Sequence, residues 1–284
     1  MKKLITKLSG TYLNTLAHIA PRVAGRHGFQ LFCRPFRTPV NSKQRAFFST
    51  AHQFIVEHEG LRLQGYKWGQ GKTKVVFVHG WQSHSYRWKL YIDSLPKDTY
   101  TIFALDAPGH GLSSGNFLSL PLYADVLKKF IADIGEVDTA VGHSLGSVCL
   151  LYSVVTNPSL SVNRLALMAP PGEVTDFMDF FRTSLNLSSK TMKCIYEYFQ
   201  QRYGVTPEYF SAPKFAASLN QTGIIIHDEE DNETPYHHAI RIHQAWKNSS
   251  LISTKGFGHN LKSHEVVEII QRFVLHHSGD KISV

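Results

Sequence analysis

Beyond residue 50 the apolar positions fall into two rhythms that alternate along the chain. Residues 53–58 and 61–68, on either side of Glu59-Gly60, alternate apolar and polar side chains, which predicts an antiparallel hairpin. Residues 74–78, 101–105, 139–142 and 164–168 are instead short unbroken apolar runs, the pattern of strands buried on both faces of a parallel sheet. Helical spacing fills the gaps over 86–95, 120–134 and 148–155. A strand over 223–226 with a helix over 235–246, then a strand over 251–254 with a helix over 266–275, continue the series. The alternation predicts an α/β class chain built on a mostly parallel, doubly wound sheet.

The rhythm stops between residues 172 and 220. There Phe177, Phe180, Phe181 and Leu185, then Met192, Ile195, Tyr196 and Phe199, repeat at helical spacing. This predicts a small helical cap inserted after the strand that ends at Met168. The expected organisation is an N-terminal extension over 1–50, a core made of 51–171 and 221–284, and the cap over 172–220.

In the extension, Leu4, Ile5, Leu8, Tyr12, Leu16 and Ile19 fall on one face of a helix ending near Pro21, with Lys2, Lys3 and Lys7 around its start. Two readings compete. The helix packs against the body, which is the preferred expectation, or it lies as a basic amphipathic element on an anionic membrane surface. An organelle transit peptide fits the lack of acidic residues, whereas Lys7, Ser9, Thr11 and Asn14 interrupt the apolar run that a secretory signal needs. Residues 29–50, with Phe29, Phe32, Phe36, Phe47 and Phe48 among arginines and prolines, predict an extended aromatic segment laid on a surface.

The net charge of +8 sharpens this division. Residues 1–50 contain nine Lys and Arg and no Asp or Glu, against 21 basic and 22 acidic side chains in the rest of the chain. The body is neutral, which suits a small uncharged substrate. The spaced basic residues of the extension, without a recognisable module, speak against nucleic acid as a partner. No run is long and apolar enough to span a bilayer, so the expected location is the cytoplasm, with peripheral membrane contact through the N-terminal helix as the alternative. Three scattered cysteines make neither a disulfide framework nor a metal site.

Chemistry concentrates at the ends of the expected strands. Gly142-His143-Ser144-Leu145-Gly146 is the nucleophile-elbow pattern, and it stands between a buried strand and a helix, where that pattern has physical meaning. A serine hydroxyl is a poor nucleophile at neutral pH and needs a base, which in turn needs a carboxylate to fix its tautomer. In this architecture the chain order is nucleophile, acid, histidine. Asp231, in the polar turn 226–235, and His259, in 256–260, stand at the ends of the last two strands. The Leu145 N–H, next after the nucleophile, is an expected donor to the oxyanion that forms under attack.

Taken with Val78-His79-Gly80-Trp81, Asp106-Ala107-Pro108-Gly109-His110-Gly111-Leu112-Ser113, the elbow, the Asp231 turn ending at Pro235, and Gly258-His259, residues 51–284 resemble an α/β-hydrolase fold family esterase or lipase-like enzyme with a short cap. The resemblance implies Ser144 as nucleophile, His259 as general base and Asp231 as its orienting acid, with the backbone of Trp81 as second oxyanion donor. It implies no cofactor. One position departs from the family: the acid turn usually reads His-Gly-x-x-Asp, and Asp228 stands at the glycine. Asp228 therefore competes with Asp231, which is preferred for its spacing from His227 and Pro235.

The expected reaction is hydrolysis of a carboxylic ester of a small, apolar substrate through an acyl-enzyme. A thioesterase, an amidase or a carbon–carbon bond hydrolase would use the same side chains, and a non-catalytic ligand-binding protein would keep the fold without turnover. Gln82, His84 and His143 are candidate pocket groups, with structural support the favoured reading for His143. His79 and His110 are expected to brace loops. Sixteen histidines invite a metal reading, but His-Glu-x-x-His is absent and no metal site is expected. Cys149 is expected to pack as a small apolar residue.

Overall fold

The computed structural model describes residues 2–275, with side chains from residue 6 onward. Leu4, Ile5, Lys2 and Lys3 as side chains, and residues 276–284 of the expected core, lie outside that description. The described residues divide into two compact units, one within 1–34 and 172–211 and the other within 35–171 and 212–284.

The larger unit is a sheet of eight strands among the described residues. They are β1 (His52–His58), β2 (Leu61–Trp68), β3 (Thr73–Val78), β4 (Tyr100–Leu105), β5 (Val137–His143), β6 (Val162–Met168), β7 (Thr222–Asp228) and β8 (Ser249–Thr254), in the spatial order β1-β2-β4-β3-β5-β6-β7-β8. The first three in that order are antiparallel, and β4 through β8 run parallel. Every residue of β4 is buried, because helices cover both faces and leave no polar side for an alternating pattern.

This unit also contains α3 (Ser42–Phe48), α4 (Lys89–Ser94), α5 (Leu120–Ile134), α6 (Leu145–Thr156), α9 (Ala212–Ala216), α10 (His237–Ala245) and α11 (His264–Leu275). The boundaries expected at 50 and 220 are displaced to 34 and 211 by packing. Phe48 stacks on Tyr66 of the sheet with ring centroids 4.3 Å apart, and Phe215 of α9 packs on Tyr152 of α6.

The smaller unit is helical, with α1 (Lys2–Ile19), α2 (Pro21–Phe32), α7 (Val174–Leu185) and α8 (Ser189–Tyr203). The extension and the insert thus fold together, although they are distant in sequence. Two expectations change here. Residues 29–48 are not a continuous extended segment: Phe29 and Phe32 belong to α2, and an Asn41–Gln44 capping box starts α3. On α1 the packing face is not the large apolar stripe. Leu13 and Ala17 are buried, while Leu8, Tyr12 and Ile19 are exposed. Small residues cause the exchange. A Cβ on Gly10 would lie 1.9 Å from the carbonyl oxygen of Leu185, and one on Gly25 would lie 2.3 Å from that of Cys194, so backbones meet where a larger side chain has no room.

Candidate active site

Strand order reverses around β3, with β4 on one side and β5 on the other. In open α/β sheets, ligands bind outside the carboxyl ends of strands at such a reversal. The loops leaving β3, β4, β5, β7 and β8 at that edge hold the residues expected to carry chemistry.

Ser144 sits between β5 and α6 with φ +52° and ψ −125°, a conformation that non-glycine residues rarely adopt. Its N–H donates to the carbonyl of Met168 at 2.8 Å, which pins the turn to the end of β6. Gly146 is required by close approach, since a Cβ there would lie 2.5 Å from the Val78 carbonyl oxygen and 2.6 Å from that of His79. The start of α6 therefore abuts the end of β3. A Cβ on Gly80 would lie 2.9 Å from Ser144 Cβ, so the chain leading to Trp81 runs against the serine. The N–H groups of Trp81 and Leu145 make no hydrogen bond among the described residues.

Asp231 is brought to His259, its Oδ2 accepting from Nδ1 at 2.8 Å. Its Oδ1 accepts the N–H groups of Glu233 at 2.8 Å and Thr234 at 2.9 Å, and the Thr234 hydroxyl donates to Oδ2 at 2.8 Å. His227 Nε2 lies 3.3 Å from the same Oδ2. Burial alone would raise the Asp231 pKa; hydrogen bonds from His227, His259 and the Thr234 N–H outweigh it and hold the carboxyl well below the ordinary carboxylate range.

Asp228 plays a different part. Its Oδ2 accepts from the Thr254 hydroxyl at 2.8 Å and the Phe257 N–H at 2.9 Å, and its Oδ1 accepts the Glu230 N–H at 3.0 Å. It ties the end of β7 to the loop that carries His259, and no hydrogen bond joins it to the imidazole among the described residues. Burial opposes its ionisation, but the bonds led by the Phe257 N–H prevail and lower its pKa.

Two further groups hold the His259 loop. His143 Nε2 faces the His259 carbonyl oxygen at 2.8 Å and must carry the proton, while its Nδ1 is buried without a partner. Burial, then the neighbouring Arg87 and His259, keep His143 well below the ordinary histidine range, so it is neutral. Arg87 donates to the Asn260 carbonyl at 2.6 Å. The rings of His143 and His259 are 5.0 Å apart between centroids, which brings the histidine loop beside the elbow. Among the described residues, however, no hydrogen bond joins the Ser144 hydroxyl to His259. His259 Nε2 lies 3.9 Å from the exposed Glu233 carboxylate.

His79 and His110 cross-link two loops reciprocally. His79 Nε2 accepts the Ala107 N–H at 2.9 Å and His110 Nε2 accepts the Gln82 N–H at 3.0 Å. Since a peptide N–H only donates, both rings carry their proton on Nδ1, facing the carbonyls of Gly80 and Pro108. Gln82 is exposed at φ +51° and engages through its main chain, its carbonyl accepting from Thr38 at 2.9 Å. His84 starts a short 3-10 turn, Ser85–Trp88, and packs on Phe48. Cys149 is buried, and burial pushes its thiol pKa up. Thr234 and Arg87 were not anticipated from sequence. The signal for Thr234 was its place three residues after an aspartate in a turn, where side chains capture backbone N–H groups; Arg87 left none.

A model of the alpha/beta hydrolase family matches residues 75–254. The chain is 30% identical over 160 residues to the dihydrolipoyllysine-residue acetyltransferase component of the acetoin cleaving system of Cupriavidus necator, covering 55% of this chain and 42% of that protein. It is 31% identical over 135 residues to a serine hydrolase-like protein of Danio rerio, covering 44% and 40%. It thus spans about two fifths of the length of these curated relatives. Among solved structures, a bacterial membrane phospholipase A aligns over 96% of this chain and 98% of its own at 17% identity, with a TM-score of 0.63, a likeness of fold.

Proposed function

Because this chain belongs to the alpha/beta hydrolase family, with that family's sheet and loops in place, we propose that it is a serine hydrolase that cleaves a carboxylic ester of a small, apolar substrate through an acyl-enzyme. The observation that carries the proposal is the 2.8 Å bond from His259 Nδ1 to Asp231, on a loop whose main chain is tied to the residue preceding Ser144. Ser144 attacks the ester carbonyl and His259 Nε2 takes its proton. The Nδ1–H stays on Asp231, whose charge stabilises the imidazolium. The developing oxyanion is met by the N–H groups of Leu145 and Trp81, each worth about 3 kcal/mol in hydrolases of this mechanism. The imidazolium returns its proton to the departing alkoxide. Water then repeats the sequence on the acyl-enzyme, with His259 again as base. The near-neutral charge of the residues beyond 50 supports an uncharged substrate.

The test is labelling with a fluorophosphonate and turnover of a panel of p-nitrophenyl esters of increasing acyl length. The expected result is labelling that disappears in Ser144→Ala, with turnover of short to medium apolar esters. A folded protein that neither labels nor turns over any ester would overturn the proposal and leave a ligand-binding protein of the same fold. Labelling at Ser144 with turnover confined to thioesters or amides would keep the nucleophile and correct the substrate.

A further inference from the structure

We propose that α1 and α2 form a docking face for the surface of an anionic lipid bilayer. The charge is the first observation. The helical unit, residues 1–34 and 172–211, contains ten Lys and Arg and five Asp and Glu, so it carries more than half of the net +8 in about a quarter of the chain. None of the acidic residues lies on α1 or α2.

The second is the exposed pattern. On α1, Leu13 and Ala17 are buried, with Gly10 against Leu185. On the opposite side Leu8, Tyr12 and Ile19 are 60%, 50% and 76% exposed, and their spacing of four and seven residues aligns them as one apolar ridge. Tyr12 reaches α2, its hydroxyl 2.8 Å from His27 Nδ1, so the ridge borders that helix. The exposed positions of α2 that follow at four-residue spacing are Arg22, Arg26 and Gln30. On the far side of the α1 ridge, Lys7 and His18 are exposed, with Lys190 of α8 3.3 Å from His18. The apolar ridge is therefore flanked by Arg22 and Arg26 on one side and by Lys7 and Lys190 on the other.

That arrangement suits a bilayer interface: the ridge enters the acyl boundary and the flanking cations meet headgroup phosphates. No helix among the described residues is long and apolar enough to cross a membrane, so the helices lie on the surface rather than span it. A second copy of this chain is the less favourable occupant, because it would oppose like charges across the same face.

The experiment is flotation of the full chain with vesicles of phosphatidylcholine alone and of phosphatidylcholine with phosphatidylglycerol, at low and high salt. Two variants accompany it, Arg22→Gln with Arg26→Gln, and Leu8→Ser with Ile19→Ser. Circular dichroism and thermal unfolding establish that each remains folded, since all four side chains are solvent-facing. The expected result is binding to the anionic vesicles that weakens with salt and falls about 30-fold in the arginine variant, from about fivefold per basic residue. The ridge variant is expected to fall tenfold or more, by roughly the burial of two aliphatic side chains. Equal binding to both vesicle types, or wild-type affinity in both folded variants, would overturn the proposal. So would a wild-type dimer that Leu8→Ser with Ile19→Ser converts to monomer without altering flotation, which would assign the face to self-association.

Discussion

His143 donates its Nε2–H to the main-chain carbonyl of His259 across 2.8 Å, joining the residue before the elbow serine to the candidate base. The contact fixes the height of the His259 loop relative to the elbow without using the imidazole of His259. Small errors in such placement are expensive for proton transfer, since a displacement of about 1 Å can lower the rate by about 100-fold. His143→Ala is predicted to lower kcat on a p-nitrophenyl ester by between about 10- and 100-fold with little change in KM. His143→Gln, which keeps an N–H donor at similar reach, should recover part of that loss. Equal kcat in wild type and His143→Ala would show that the contact does not position the base.

Asp231 and Asp228 stand three residues apart and are both buried, yet their partners differ. Asp231 accepts from the imidazole; Asp228 accepts from the hydroxyl of Thr254 and the N–H of Phe257. Asp231→Asn is predicted to lower kcat by about 10⁴-fold, the size of effect seen when the orienting carboxylate of a serine triad becomes an amide. Asp228→Asn retains one acceptor oxygen in place of two. It should lose stability by about 2 kcal/mol, as charge-assisted bonds weaken, and activity far less than Asp231→Asn. The reverse ranking in steady-state kinetics would move the catalytic role to Asp228.

The φ of +52° at Ser144 stores strain that a serine tolerates only because the surrounding turn imposes it. Ser144→Gly and Ser144→Ala both remove the hydroxyl, but only glycine relieves the backbone. Ser144→Gly is predicted to be about 1 kcal/mol more stable to urea than Ser144→Ala, while both are inactive. Greater stability in the alanine variant would mean that the turn relaxes in solution.

The alternation of buried runs and helices revealed the parallel sheet, because full burial on both faces leaves a signature in composition alone. The elbow, the Asp231 turn and the His259 loop were legible for a related reason: each follows a strand directly, so its position in the fold follows from its position in the chain. The packing face of the extension was not legible because it uses Gly10, Ala17, Ala24 and Gly25, where backbones approach closely and no large apolar side chain marks the contact. Its union with residues 172–211 was invisible for a different reason, since nothing local to either segment specifies a partner more than a hundred residues away. Arg87 escaped notice because its bond is to a main-chain carbonyl, and every residue has one of those.

Three buried histidines give the fold a pH dependence whose sign follows from their protonation. Burial, the largest influence on each, holds His79 and His143 well below the ordinary histidine value and His110 at about 4. The Nε2 acceptors of His79 and His110 are occupied by the N–H groups of Ala107 and Gln82, which leaves no room for a second proton on either ring. Between the ordinary value of 6.5 and about 4, the unfolded chain binds a proton at residue 110 that the folded chain refuses, so stability is lost as pH falls through that window. Asp231 and Asp228, with lowered pKa values, act in the same direction at lower pH: their contribution is complete above the unfolded carboxylate range and is lost as pH falls below it. The two classes separate on the pH axis. Urea unfolding of wild type should therefore weaken from near pH 6.5 downward, before Asp231 or Asp228 titrates. His110→Gln, which offers an acceptor to the Gln82 N–H but binds no proton, should flatten that decline by up to about 3 kcal/mol between pH 6.5 and 4. A wild-type stability that stays level to pH 4.5, or a slope unchanged in His110→Gln, would show that His110 takes up a proton in the folded chain and that the loop cross-link does not depend on its neutral form.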